Sequence, residues 1–493
     1  MSDKSNLFTM KPISRRDFLI KTGAGLAGVA LTNPIASVLA QSDDLTRKIT
    51  KKGRKVRIAL VGTGSRGTAT WGSQLIGPYS DYVEMVGLCD INMKRVKVGR
   101  ELIGTDAPVF HSSEFDRMIQ QTGPDLVITT TTDCFHAEYA VRAMELGCDV
   151  LSEKPLATEA GQCQRILEAE ARTGKTVWVF FNARHSGSAM QAKKILDGGE
   201  LGKLISAEFH EYLDVYHGAS YFRRWHGRKK YSGSLLVHKA SHHFDKINWW
   251  MNADPVEVSA FGKVAFYGSN NGFRGEKCRG CPFRKKCDFY WDITESDRYM
   301  KLYVDCEDED HYVRDSCVWD HGITSYDTQT VQVKYSNGVL LNYSLNAYMP
   351  YEGQQIAFNG TKGRLDIRNY HRQPWEVPYA SELRITKSFE DSRTMKIGGE
   401  EGIDVTTGKE GVETFKAQGE RGGHGGADPH AKDLLFIPDK PDPLNQTAGS
   451  RAGVMASLIG IAARKSIESG GKPVKISDLI DYPTTWNWWG ARS

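Results

Sequence analysis

The sequence predicts an α/β fold: a doubly wound, parallel-stranded nucleotide domain followed by a second, α+β domain. Three observations carry this expectation. A short apolar run, Lys55–Val61, leads at once into Gly62-Thr63-Gly64-Ser65-Arg66-Gly67 and a helical stretch. A second apolar run ends on an acid, Asp90, about twenty residues past the glycines. Three more such runs follow, alternating with helix-period segments, which is the pattern of βα units in a parallel sheet.

Taken in order, Lys55–Val61 reads as a strand buried on both faces. Gly62 then permits a tight turn, Gly64 lets backbone approach a pyrophosphate, and Gly67 allows close packing of helix on strand. Ser65 and Arg66 fall within that turn, and a helix over Thr68–Leu75 would aim its free N–H groups at the phosphates. Val83–Cys89 is the next strand. Its terminal Asp90 suits both ribose hydroxyls and would repel a 2′-phosphate, which favours NAD over NADP; the same residue also suits a helix N-cap. Leu126–Thr130 leads to Asp133-Cys134-Phe135-His136, Asp149–Ser152 to Glu153-Lys154-Pro155, and Val177–Phe181 to Asn182-Ala183-Arg184-His185. Ligands of an open parallel sheet lie beyond the carboxyl ends of its strands, so these polar clusters are expected to converge on one crevice. The nucleotide domain is assigned to residues 55–175 and the α+β domain to 176–493. Strands of the latter are expected at Leu204–Tyr212, Val256–Tyr267, Thr330–Ser336, Leu340–Leu345 and Gln355–Asn359, with a hairpin turn at Asn337-Gly338. A helix over Ala448–Ser469 is expected to pack back on the first domain.

The 493 residues carry a formal net charge of +4, with 40% hydrophobic and 25% charged residues, which are ordinary globular values. Most of the excess is local: residues 1–40 hold Lys4, Lys11, Arg15, Arg16 and Lys21 against Asp3 and Asp17. The remainder is close to neutral, so neither nucleic acid nor an anionic membrane is implied as a partner. Arg15-Arg16, a mild Gly/Ala-rich apolar stretch and Val38-Leu39-Ala40 before Gln41 resemble a twin-arginine signal peptide. The expected processing is removal of residues 1–40, a linker at 41–54, and a periplasmic mature form without a membrane anchor. The twin-arginine machinery exports folded proteins, so a tightly held cofactor is expected with it.

Gly62-x-Gly64-x-x-Gly67, Asp90 and especially Glu153-Lys154-Pro155 resemble the Gfo/Idh/MocA oxidoreductases, a family that includes glucose–fructose oxidoreductase and inositol dehydrogenase. The resemblance spans about residues 55–480. It implies NAD(P)-dependent chemistry on sugars, cyclitols or their derivatives. It also implies that the second domain carries a large, open, mostly antiparallel sheet used for homo-oligomerisation as a dimer or tetramer. It places Lys154 between nicotinamide and substrate and His242 at the catalytic histidine of an Asp-x-Gly-x-His motif. Here that motif reads His238-Lys239-Ala240-Ser241-His242, so His238 replaces the usual acid and puts the family's proton relay in doubt.

Oxidation of a carbinol needs a base for the hydroxyl proton and a donor that polarises the oxygen. His242 is assigned the acid/base role and Lys154 the polarising role, with His238 orienting or relaying. Asp245 is expected to fix a histidine tautomer. His136, Glu153 and Pro155 join Gly62, Gly64, Ser65, Arg66, Gly67 and Asp90 as candidate cofactor contacts. Arg184, His185, Lys239, Asp245, His424 and Asp428 are the candidate contacts to a small carbohydrate substrate. The reading is a periplasmic dehydrogenase of a secondary hydroxyl. The alternative is an NAD-dependent glycosidase, which oxidises a glycoside transiently, eliminates its leaving group and restores the hydroxyl with no net redox change.

Nine cysteines complete the reading, five of them within forty residues in an insert at about 268–320. Cys278-Arg279-Gly280-Cys281, with Cys287 and Cys306, has the spacing of a knuckle for structural zinc. Disulfides and an iron–sulfur cluster are the competing readings, and Cys317 is a further candidate.

Overall fold

In the computed structural model, residues 49, 53–388, 412–417 and 424–481 are described. The signal and most of the linker expected at 1–54 lie outside them. Six parallel strands form the first sheet, in the order β3-β2-β1-β4-β5-β6. These are β1 Val56–Val61, β2 Val83–Asp90, β3 Val109–His111, β4 Leu126–Thr129, β5 Asp149–Glu153 and β6 Val177–Phe180. Their interiors are almost wholly buried, as two-sided helix cover requires. The limit set at 175 falls one strand short, because β6 pairs in register with β5 as the edge of this sheet. The strand order reverses between β1 and β4, and the crevice opens at that switch point.

Among the described residues the second sheet has nine strands: β7 Leu204–Asp214, β8 Pro255–Lys263, β9 Thr328–Tyr335, β10 Leu340–Met349, β11 Glu352–Gly360, β12 Gly363–Arg372, β13 Ser381–Lys387, β14 Val412–Ala417 and β15 Val474–Lys475, in the order β14-β13-β12-β11-β7-β10-β9-β8-β15. It is antiparallel except where β10 (Leu340–Met349) runs parallel to β7 (Leu204–Asp214). Burial alternates along β9 (Thr328–Tyr335) and β10, so one face packs inward and the other is open. Strand β8 stops at Lys263, short of the expected Tyr267. The N–H groups of Ala265, Phe266 and Tyr267 turn instead to the buried Asp327 carboxylate, at 2.7–2.9 Å. The turn at Asn337-Gly338 forms as expected, with Gly338 at φ +86°.

The helix Ser450–Glu468 joins the two sheets. Val179 of β6 donates its N–H to Ala448 O. A Cβ on Gly453 would strike Val179 and Leu156 of the first domain, and a Cβ on Gly460 would lie 2.3 Å from Leu236 O of the second. Glycine at these two positions lets the helix seat against both domains at once. Among the described residues no helix is long and apolar enough to cross a membrane.

Candidate active site

One crevice of about 3250 Å³ runs from the glycine-rich turn to the inner face of the second sheet. That is several times the size of a pocket for one small ligand, so a dinucleotide and a second molecule can share it. At its first end the turn is held tightly. A Cβ on Gly67 would lie 2.0 Å from Gly62 O, and one on Gly62 would lie 2.7 Å from Thr130 O. Gly62 adopts φ +92°, which glycine alone takes without strain. The following helix Gly67–Ser73 is π-wound, not the α-helix expected, but its first turn still opens on the crevice.

Asp90 is more committed than its sequence position suggests. Its Oδ2 accepts from Thr63 N (2.7 Å) and Thr63 Oγ1 (2.9 Å), and its Oδ1 accepts from Asn92 N (3.0 Å) and Arg95 Nη1 (3.4 Å). The N-cap of the next helix is Asn92, not Asp90. Asp90 therefore fixes the turn while still lining the crevice, where a ribose would lie. Arg66 and Glu153 pair at 2.5 Å, and Glu153 also accepts from Trp71 Nε1 at 2.8 Å. Arg66 reaches Asp428 at 3.3 Å. These pairs brace the cradle, and Arg66 and Glu153 line the crevice themselves. His136 is likewise structural: its ring lies between Pro155 O (2.7 Å) and Thr131 O (3.1 Å), tying two strand ends together. The Lys154–Pro155 peptide is cis.

At the second end, Lys154 Nζ donates to His238 O at 2.9 Å and lies 3.5 Å from His238 Nε2. On the other side of that ring, His238 Nδ1 meets Asp133 Oδ2 at 2.7 Å. The acid that the His238 motif lacks is thus supplied by Asp133, from the end of β4 in the other domain. Burial, reinforced by Lys154 and Arg224, holds His238 well below the ordinary histidine range, so its ring is neutral. Burial pulls Lys154 down to about 8, against the opposing pull of Asp133 and Glu153. His242 lines the same crevice, and its Nδ1 is buried without a hydrogen-bond partner. Burial and the nearby Lys154 and Lys239 lower its pKa well below the ordinary value, so the imidazole facing the crevice is neutral.

Lys239 also lines the crevice, but Glu211 pairs with it at 3.2 Å. Burial works against its charge, yet Glu211 outweighs burial and holds Lys239 above the ordinary lysine range. Glu211 is fully buried and held down to about 2; burial opposes this, and Lys239 and His243 overcome it.

Four expected substrate contacts, Arg184, His185, Asp245 and Asp428, do not line the crevice. Arg184 and Asp245 form a two-point ion pair at 2.7 and 2.6 Å, both almost fully buried, that locks the turn after β6 onto the helix Ser241–Met251. His185 packs against His430, with Nδ1 atoms 3.1 Å apart, and is held down to about 3 by burial and by His430. Asp245 consequently sets no histidine tautomer. The late loop divides: His424 is exposed at the crevice, while Asp428 is buried beneath it, accepting from Asn182 Nδ2 at 2.6 Å and lying 2.9 Å from His424 Nδ1.

The cysteine insert is held together by groups other than its cysteines. All nine cysteines are free thiols, and among the described residues no group of three or more His, Cys, Asp or Glu is arranged to hold a metal. Cys306 donates its thiol to Lys301 O, in a separate part of the insert. Cys278, Cys281 and Cys287 form no zinc knuckle with it. The insert is held by Arg279, which pairs with Asp315 (2.9 Å) and Glu307. An aromatic group of Phe266, Tyr267, Phe289 and Trp319 adds packing. Its far end straps the nucleotide domain. Tyr303 OH accepts from Ser65 N at 2.8 Å, Arg298 donates to Ser65 O at 3.1 Å, and Asn92 Nδ2 donates to Cys306 O at 2.8 Å. Arg95 pairs with Asp310 at 2.7 Å. Sequence reasoning missed Tyr303, Arg298 and Asp310, because nothing local ties residue 303 to residue 65. Asp133 could have been found, since it follows a strand end like the residues that were chosen.

The fold and the crevice define an NAD-binding oxidoreductase with a sugar- or inositol-type relationship. Residues 56–181 match the model of the Gfo/Idh/MocA oxidoreductase family, NAD-binding Rossmann fold, and residues 193–476 match the family's C-terminal alpha/beta domain. The chain belongs to this family. It is 33% identical over 444 residues to YteT of Bacillus subtilis, a protein that carries an oxidoreductase name, covering 86% of this chain and 98% of that one. It is 29% identical over 180 residues to the inositol 2-dehydrogenase of Salmonella typhimurium, covering 36% of this chain and 50% of that one. In fold it is similar to the WlbA dehydrogenase of Bordetella pertussis, solved with NADH and UDP-GlcNAcA, with a TM-score of 0.55 and 17% identity over 86% of this chain and 99% of that one. The glycine cradle, Asp90 and the size of the crevice fit NAD, with Gly62, Gly64, Ser65, Arg66 and Asp90 lining the crevice where it would lie and Gly67 closing the turn behind them.

Proposed function

We propose that the protein is a dehydrogenase that uses NAD, in preference to NADP, to oxidise a secondary hydroxyl of a sugar, glycoside or cyclitol. It does so in the periplasm, after export through the twin-arginine machinery. The observation that carries this reading is the chain Asp133–His238–Lys154 at the strand ends, in the same crevice as the neutral His242. Bound NAD supplies the hydride acceptor. The Lys154 ammonium polarises the substrate oxygen and stabilises the developing alkoxide, and His242 takes the hydroxyl proton. His238, fixed through Asp133, holds the Lys154 amine in place by its carbonyl oxygen and its ring. Lys239, kept charged by Glu211, donates to a second substrate oxygen.

The preference for NAD is supported by Asp90 and Asp310, both beside Arg95, which would meet a 2′-phosphate with carboxylates. Export is supported by Arg15-Arg16 and Val38-Leu39-Ala40, and assembly with further copies by the open face of the second sheet. The strap from the insert onto Ser65 and Arg95 suits a cofactor retained rather than exchanged.

The test is to purify the exported protein, look for bound NAD by absorbance, and incubate it with free sugars, cyclitols and aryl glycosides. NADH formation that Lys154→Ala abolishes is expected. Aglycone release with no net NADH would replace this reading with the glycosidase, and full activity in Lys154→Ala would overturn the site. Replacing Arg15 and Arg16 by lysine should leave the chain unexported.

A further inference from the structure

Among the described residues two arginines in the crevice form no ion pair with a carboxylate, though Arg224 lies close enough to Asp133 to feel its charge. Arg224 and Arg314 both line it, together with Lys154, His238 and His242. Arg224 donates to Ser220 O at 2.6 Å and Ser220 Oγ at 3.2 Å, both within its own turn, and lies 5.3 Å over the Tyr221 ring. Arg314 stacks 5.1 Å over Tyr299 and 4.8 Å over Tyr303, and its Nε is buried with no hydrogen-bond partner. Among the described residues neither guanidinium meets a carboxylate. The nearby acids are already spent: Asp133 on His238, Glu211 on Lys239, and Glu352 on His217 at 2.9 Å. The two arginines also feel each other. Burial pulls Arg224 down to about 10, and Arg314 adds to the fall.

Both side chains are half-buried, and a guanidinium partly withdrawn from water is ordinarily paired, because leaving its charge unmatched there is costly. A planar fork of N–H donors matches the oxygens of a carboxylate or phosphate. Aromatic rings orient both forks here; Arg224 spends two donors on Ser220 and Arg314 one on Tyr312, and among the described residues no carboxylate meets the donors that remain. We propose that Arg224 and Arg314 form an anion subsite, and that the natural substrate is an acidic sugar or cyclitol derivative whose carboxylate or phosphate they hold while its hydroxyl lies at Lys154. This rests on the dehydrogenase reading above, and it narrows the substrate from carbohydrates in general to those bearing an anion.

The test uses the exported, NAD-loaded protein. Equilibrium binding of glucuronate, glucose 6-phosphate and glucose is measured by calorimetry, and turnover of each is measured separately. Hydrogen bonds to a charged group predict that the wild type binds an acidic sugar about 10- to 100-fold tighter than glucose. That preference should weaken as sodium chloride is raised. Preference for glucuronate would identify a carboxylate, and preference for glucose 6-phosphate a phosphate. In Arg224→Gln and Arg314→Gln the ratio of acidic to neutral affinity should collapse toward one. Arg314→Lys should recover part of it, since charge remains but the fork is lost. Equal wild-type binding of acidic and neutral sugars would overturn the proposal without recourse to any variant. So would a loss in the variants that falls on NAD affinity instead, because the guanidiniums would then serve the cofactor. Discrimination in binding with no turnover of any sugar would sustain the anion subsite and remove the dehydrogenase reading.

Discussion

Lys154 and Lys239 line one crevice and have opposite electrostatics. Lys154 comes from the rim of the nucleotide sheet, where it finds a carbonyl and a neutral ring, and its proton is loosened to about 8. Lys239 sits over the second sheet, where Glu211 rises from β7 to pair with it and its proton is locked. A similar contrast separates the arginines. Arg184 is fully matched by Asp245 behind the crevice wall, whereas Arg224 and Arg314 are unmatched and face into it. Burial and charge are common to all of these groups. Whether the protein itself supplies a carboxylate partner sets how firmly each proton is held: Glu211 locks that of Lys239, and Lys154, without a direct one, is left loose.

The comparison can be broken most sharply at Lys154. Lys154→Ala should cut turnover by about 10²- to 10⁴-fold, with a thermal midpoint close to that of the wild type in the same buffer. The reverse is expected behind the wall. Asp245→Ala leaves Arg184 buried and unpaired, and should destabilise the protein by about 3–5 kcal/mol in denaturant unfolding. A smaller effect is expected where the insert straps the nucleotide domain. Arg95→Ala removes the contacts to Asp310 and Leu302 O, and should weaken NAD retention by about tenfold, read as cofactor lost on dialysis. The smallest effect is a shift in pH. Lys154 acts as a cation, so kcat should fall as pH rises through about 8. Burial raises Asp133 well above the ordinary carboxylate range, but in its ionised form it favours the protonated amine, so Asp133→Asn should move that alkaline limb to lower pH. An unmoved limb would remove Asp133 from the account.

The first sheet was legible because its strands are short, continuous apolar runs ending in polar clusters, and each cluster reaches the crevice or its rim. The outer strands Gly363–Arg372, Ser381–Lys387 and Val412–Ala417 were not, since an edge region with one open face gives a weak apolar pattern. Strand ends gave position but not direction. Lys154 and Arg184 follow neighbouring strands, yet Arg184 turns away to an acid that is 61 residues distant in sequence. The Arg279–Asp315 pair that staples the insert was not legible either, because it is formed by residues with no motif. Asp133 on His238 shows how a departure from a familiar motif can be repaired across domains, which no local reading of residues 238–242 reveals.

The most direct test reads the two lysines side by side. Competitive acylation of the folded protein at a series of pH values, followed by mass spectrometry of the peptides bearing Lys154 and Lys239, reports the fraction of each amine that is unprotonated. The account predicts that Lys154 becomes reactive with a midpoint of about 8, while Lys239 stays protected beyond the ordinary lysine value of 10.5. Both lysines titrating together near 10.5, or Lys239 reacting first, would contradict it.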